Sequence, residues 1–139
     1  MSSKKLDTKI LDELKEQAKE ASKNSYSPYS KFPVGAAILT ESGKIYSGCN
    51  VENASYGLSN CAERTAIFKA ASEGQRSLLA IAIYTPTQTT TAPCGACRQV
   101  IYEFGPECTV INICDNPKNS ITATMDQILP RAFGPKDLL

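Results

Sequence analysis

Histidine is absent from this 139-residue chain, and so is tryptophan. The first absence removes whole classes of chemistry. A Ser–His or Cys–His hydrolase would have no base, and any zinc ion would depend on Cys, Asp or Glu. An excess of one charge is missing too: 15 Lys plus Arg against 14 Asp plus Glu leave a formal net charge of +1. That balance supplies no broad attraction for nucleic acid or an anionic membrane, so the expected partner is a small molecule or another protein chain. Long apolar runs are also lacking. Val34–Leu39 and Leu78–Tyr84 fall far short of the roughly 20 residues that span a bilayer. The opening Met-Ser-Ser-Lys-Lys turns amphipathic at once, unlike a signal peptide. These features predict a cytosolic protein whose six cysteines are reduced, available as thiols or metal ligands. With no repeat, low-complexity tract or linker, residues 1–139 read as one domain.

What is present follows two periods. Leu6, Ile10, Leu11, Leu14, Ala18 and Ala21 fall on one face of a helix over 6–21. A proline-broken loop, Ser25 to Lys31, follows. Val34–Thr40 and Lys44–Asn50 read as an antiparallel hairpin about Glu41-Ser42-Gly43. Residues 61–73 form an alanine-rich helix ended by Gly74. Leu78–Tyr84 reads as a strand covered on both faces. A helix from Pro93 to Phe104, a strand Cys108–Cys114, an edge strand Ser120–Ala123 and a short helix Thr124–Leu129 complete the order. A hairpin followed by two strand–helix crossovers predicts an α/β fold: a mixed five-stranded sheet with helices on both faces, a three-layer α/β/α sandwich.

Cys94-Gly95-Ala96-Cys97 by itself is compatible with a redox dithiol, half a zinc site or two buried thiols. Pro93 suits the first helical turn, and Cys61 also stands where a helix begins, behind Ser59 and Asn60 as potential caps. The positive end of a helix favours thiolate, the metal-binding form. Three ligands leave a zinc position open for water, whereas a fourth from Cys49 would close the site as a structural one; spacing leaves both open. Glu63 has two readings as well, a capping box with Asn60 or a carboxylate that moves protons beside a zinc-bound water. Arg64 and Arg98 each follow a ligand motif in a first helical turn, where a cation meets an unfavourable dipole. Three thiolates around Zn²⁺ sum to −1, and arginines donating to the sulfurs would offset that charge.

The chain resembles the small cytidine deaminases in Cys61-Ala62-Glu63-Arg64-Thr65-Ala66, in Pro93-Cys94-Gly95-Ala96-Cys97-Arg98-Gln99 and in Asn50-Val51-Glu52-Asn53-Ala54-Ser55-Tyr56. The likeness runs from Tyr29-Ser30-Lys31-Phe32-Pro33-Val34-Gly35 to Leu129-Pro130-Arg131-Ala132-Phe133-Gly134. It departs at Thr91-Ala92, where a serine more often precedes the proline. The resemblance implies one zinc ion per subunit on Cys61, Cys94 and Cys97, and Glu63 as the catalytic proton carrier between water, N3 of the pyrimidine and the departing ammonia. It implies that cytidine and deoxycytidine become uridine and deoxyuridine, in pyrimidine salvage. It further implies substrate contacts at Phe32 on the base, at Asn50 and Glu52 on the ribose hydroxyls, and at Ala54, Tyr56, Ala62 and Phe133. Arg64 and Arg98 would support the sulfurs, and a homotetramer would share sites, with Tyr56 and Phe133 reaching a neighbour. A nucleic-acid editor is disfavoured by the near-neutral charge.

Overall fold

The computed structural model describes residues 6–139; the Met1–Lys5 segment, read above for a signal peptide, lies outside the described residues. Helix α1 (Thr8–Ser22) opens on Asp7, whose carboxylate accepts the Ile10 amide at 2.9 Å, a side-chain N-cap. Strands β1 (Gly35–Thr40) and β2 (Ile45–Cys49) form the antiparallel hairpin, with Gly43 at φ 93 in its turn. Then come α2 (Ala62–Ser72), β3 (Leu78–Tyr84), α3 (Gly95–Phe104), β4 (Thr109–Ile113), β5 (Ile121–Thr124) and α4 (Met125–Ile128). The sheet order is β2-β1-β3-β4-β5, with β3–β4 parallel and the other neighbours antiparallel. The mixed five-stranded α/β sheet expected from the sequence is thus present. β3 matches its predicted ends, and the other elements shift by a residue or two, as fraying termini do.

Period-two alternation sends the two faces of the sheet to different helices. Ala36, Ile38, Ile81, Ile83 and Val110 pack with Ala66, Ile67 and Ala70 of α2 and Ile101 of α3. Ala37, Leu39, Ala80, Ala82, Tyr84 and Ile111 pack with Leu14 and Ala18 of α1. The small residues on the second face let α1 lie close: a Cβ on Gly35 would fall 1.9 Å from the Ala18 carbonyl oxygen. A Cβ on Gly48 would fall 2.6 Å from the Ala66 amide nitrogen, so α2 rests directly on β2. Each fully buried Ile or Leu contributes about 1.5–3 kcal/mol, which makes this sandwich a firm base for the helix N-termini at one end of the sheet. Three short 3₁₀ turns, Tyr56–Leu58, Pro117–Asn119 and Pro135–Asp137, carry no apolar period; the second overlaps the turn that Asp115-Asn116-Pro117-Lys118 predicts, and the other two were not predicted. Among the described residues no helix is long and apolar enough to cross a membrane.

Candidate active site

Both helices that follow a predicted ligand begin on that ligand. Cys61 is the N-cap of α2, in extended conformation, and its sulfur makes no capping bond. Cys94 is the N-cap of α3, and its sulfur accepts the Cys97 amide at 3.5 Å. Pro93 therefore stands one residue before the cap and not in the first turn, because Cys94 itself takes the extended cap conformation. The Sγ atoms of Cys61, Cys94 and Cys97 all lie within 4.8 Å of one another, and Cys61 and Cys94 are 3.8 Å apart. Tetrahedral zinc with Zn–S bonds of about 2.3 Å spaces its sulfurs roughly 3.8 Å apart, so the donor set fits that ion. Cys49, at the end of β2, is not in the cluster, so the cluster offers three sulfur donors.

Charge at the cluster is organised from α2. Arg64 donates through Nη2 to Cys61 Sγ at 3.3 Å, while its buried Nε has no partner among the described residues. Hydrogen bonds from Cys97, Arg64 and Cys94 hold the Cys61 thiol well below its ordinary value against the opposing effect of burial. Cys97 shifts upward, because its proton is held toward Cys61 and because it is buried. Arg98 does something other than expected. Its Nε donates to the Pro93 carbonyl and its Nη1 to the Ile128 carbonyl, both at 2.8 Å, so its hydrogen bonds brace the approach to α3 against α4 instead of reaching a sulfur.

Glu63 is 4% exposed in the first turn of α2. The capping-box alternative does not form: the Asn60 amide nitrogen bonds to the Val51 carbonyl, and the Asn60 side chain to Thr65. Burial pushes the Glu63 carboxyl up to about 7, with the Cys61 charge acting in the same direction. Glu63 lines a cleft of about 160 Å³ with Asn50, Cys61, Ala62 and Cys94, together with Val34, Ile83, Thr85, Thr91 and Ala92. Of the last five, Val34, Ile83 and Thr85 were given no site role from the sequence, and Thr91 and Ala92 were noted only as a departure from the family pattern. Ile83 and Thr85 could have been found, since Ile83 stands near the end of β3 and Thr85 just beyond it, at the sheet edge that faces the helix N-termini.

A second recess, of about 340 Å³, is lined by Tyr29, Ser30, Glu52, Tyr56 and Ser59. Asn50 is largely committed internally: Oδ1 accepts from Val34 N–H at 2.9 Å and from the Ser25 hydroxyl, and Nδ2 donates to the Phe32 carbonyl at 2.9 Å. One N–H of the amide remains. Phe32 is half-buried and connects to the cleft through its backbone, and Ala54 lies exposed on the loop after Glu52. Phe133 is 60% exposed on the C-terminal segment, where its carbonyl accepts from Gln99, and it lines neither recess.

A thiol triad beside a buried carboxyl able to hold or release a proton near neutrality is the equipment of a zinc-dependent hydrolase. Residues 8–113 match the family described as the cytidine and deoxycytidylate deaminase zinc-binding region. The chain is 47% identical over 128 residues to the cytidine deaminase of Sporosarcina psychrophila, covering 92% of this chain and 94% of that protein. It is likewise 47% identical over 122 residues to the enzyme of Halalkalibacterium halodurans, covering 88% and 92%. The crystal structure of cytidine deaminase from Burkholderia pseudomallei superposes with a TM-score of 0.83 at 48% identity, covering 88% of this chain and 98% of that one. The chain belongs to the cytidine and deoxycytidylate deaminase family.

Proposed function

We propose that this protein hydrolytically deaminates cytidine and deoxycytidine to uridine and deoxyuridine, releasing ammonia in pyrimidine salvage. The observation that carries the reading is Glu63, nearly sealed from solvent in the same cleft as two thiols of a three-sulfur cluster that fits zinc. Cys61, Cys94 and Cys97 would hold the ion, and when bound it supplies Lewis acidity that makes a water nucleophilic near neutral pH. Glu63 takes the proton of the attacking water and passes it to N3 of the pyrimidine, then takes the proton of the hydroxyl added at C4 and delivers it to the departing amine as the C4 carbonyl forms. A carboxyl pushed up to about 7 suits both accepting and donating. Asn50 offers its remaining N–H, and Glu52 its carboxylate, to the sugar hydroxyls. Phe32 and Ala62 border the base. Arg64 offsets charge on the sulfur.

The same reading covers assembly and setting. Residues 1–139 act as one catalytic domain, and four copies associate. Tyr56 and Phe133 are 75% and 60% exposed, and Leu58 is 70% exposed, which suits side chains that a neighbouring copy covers. Six free cysteines suit a reducing, cytoplasmic compartment.

The test follows the ultraviolet change of cytidine conversion by zinc-loaded protein, with light scattering on the same sample for the copy number. Turnover should vanish in Glu63→Ala while zinc content is retained. A folded, zinc-loaded wild-type protein that leaves cytidine unchanged sinks the reading.

A further inference from the structure

The loop between α1 and β1 turns sharply at Lys31, whose φ of 56 puts a non-glycine residue in the left-handed region. Such a residue costs about 1–2 kcal/mol and persists only when its neighbours fix it. Here the neighbours are fixed by one carboxylate. Glu52 Oε1 accepts the amides of Tyr29 and Ser30 at 3.0 and 3.1 Å. Glu52 Oε2 accepts the Ser30 hydroxyl. The same Ser30 oxygen then accepts the Phe32 amide at 3.1 Å, on the far side of Lys31. Ser30 is exposed, yet its hydroxyl makes both bonds within the protein instead of turning to solvent.

Counting valences shows what this arrangement sets. A carboxylate accepts about four hydrogen bonds; three are taken here, and the one left lies on Oε2, the oxygen whose direction Ser30 controls. The Ser30 hydroxyl is also the largest of the influences that hold the Glu52 carboxyl below its ordinary range, so the acceptor stays ionised. The backbone of Phe32 is meanwhile held twice, by Ser30 at its amide and by Asn50 at its carbonyl.

We infer that Ser30 is a positioning residue for nucleoside binding, its hydroxyl coupling the aim of the Glu52 carboxylate to the placement of Phe32. The inference rests on the reading above that Glu52 and Phe32 contact the nucleoside. Ser30 lines the recess with Glu52 and not the cleft that holds Glu63, Cys61 and Cys94, so its removal acts on binding and not on the chemical step.

Steady-state kinetics on cytidine with the zinc-loaded protein test this. Ser30→Ala should raise KM about three- to tenfold and leave kcat within about twofold, the size expected for one hydrogen bond to a charged group at a solvated site. Ser30→Thr, which keeps the hydroxyl, should restore KM. Because Ser30 works through the carboxylate, adding Ser30→Ala to Glu52→Gln should raise KM no further. An unchanged KM in Ser30→Ala beside a raised KM in Glu52→Gln overturns the inference and leaves the substrate role of Glu52 standing. Equal KM effects of Ser30→Ala in both backgrounds, or a fall in kcat and zinc content without a KM change, also overturn it. An unchanged KM in Glu52→Gln removes the substrate role itself, and the inference with it.

Discussion

At the start of α2, Cys61 caps the helix with its sulfur in the thiol cluster, Glu63 is buried in the cleft, and Arg64 donates to the Cys61 sulfur. The two arginines that looked equivalent in sequence divide at this scale. Arg64→Ala should lower kcat/KM roughly 10- to 100-fold while the fold survives, because it removes the donor to the Cys61 sulfur. Arg98→Ala should instead cost about 1–3 kcal/mol of stability in urea titrations, since it strips partners from the Pro93 and Ile128 carbonyls. Cysteine spacing and the absence of histidine made the thiol triad legible, because three cysteines at helix starts form a pattern in one dimension. The destination of Arg98 was not legible. Its partner Ile128 lies 30 residues away on another element, and nothing in the local pattern encodes that meeting. Ser30 escaped for a related reason: an exposed serine in a proline-broken loop reads as solvated until Glu52 folds against it.

Elements were legible where apolar period and length agreed, as in β3, and illegible where one or two local bonds suffice, as in the Tyr56–Leu58 turn held by Leu58 N–H to Ser55 and Ser59 N–H to Tyr56. The seating of α2 on β2 through Gly48 carries a direct consequence. In Gly48→Ala the added carbon meets backbone, so α2 must lift. A loss of about 1–3 kcal/mol is expected, together with weaker zinc retention against a chromophoric chelator, since the helix takes Cys61 with it. A second link ties β3 to the end of β4: the Tyr84 hydroxyl donates to Asp115 at 2.5 Å. Burial, then that hydrogen bond, pushes Tyr84 up to about 12. A phenol whose folded pKa lies above its unfolded value of about 10 stabilises the protein below pH ~10 and ceases to do so as pH rises through ~12. Thermal unfolding scans across that window should show a steeper loss for the wild type than for Tyr84→Phe.

At the scale of the whole molecule, the sheet order sets α2 and α3 side by side so that their N-termini converge on one cluster. The hairpin and the two crossovers predicted a mixed five-stranded sheet, but the strand order and the meeting of the two helix N-termini are long-range features that no local pattern encodes. The three-thiol centre this meeting produces has a liability that imidazole ligands would not share. Stripped of metal, a thiolate at Cys61 would stand 3.8 Å from the sulfur of Cys94, within a small motion of bonding to it. Metal loss in air should therefore start a clock. Protein chelated under oxygen should lose two hydrogens in mass spectra and fail to recover when zinc returns, whereas protein chelated with a thiol reductant should recover fully. The shelf life of the protein would then be governed by how tightly it keeps its ion, well before its sheet comes apart.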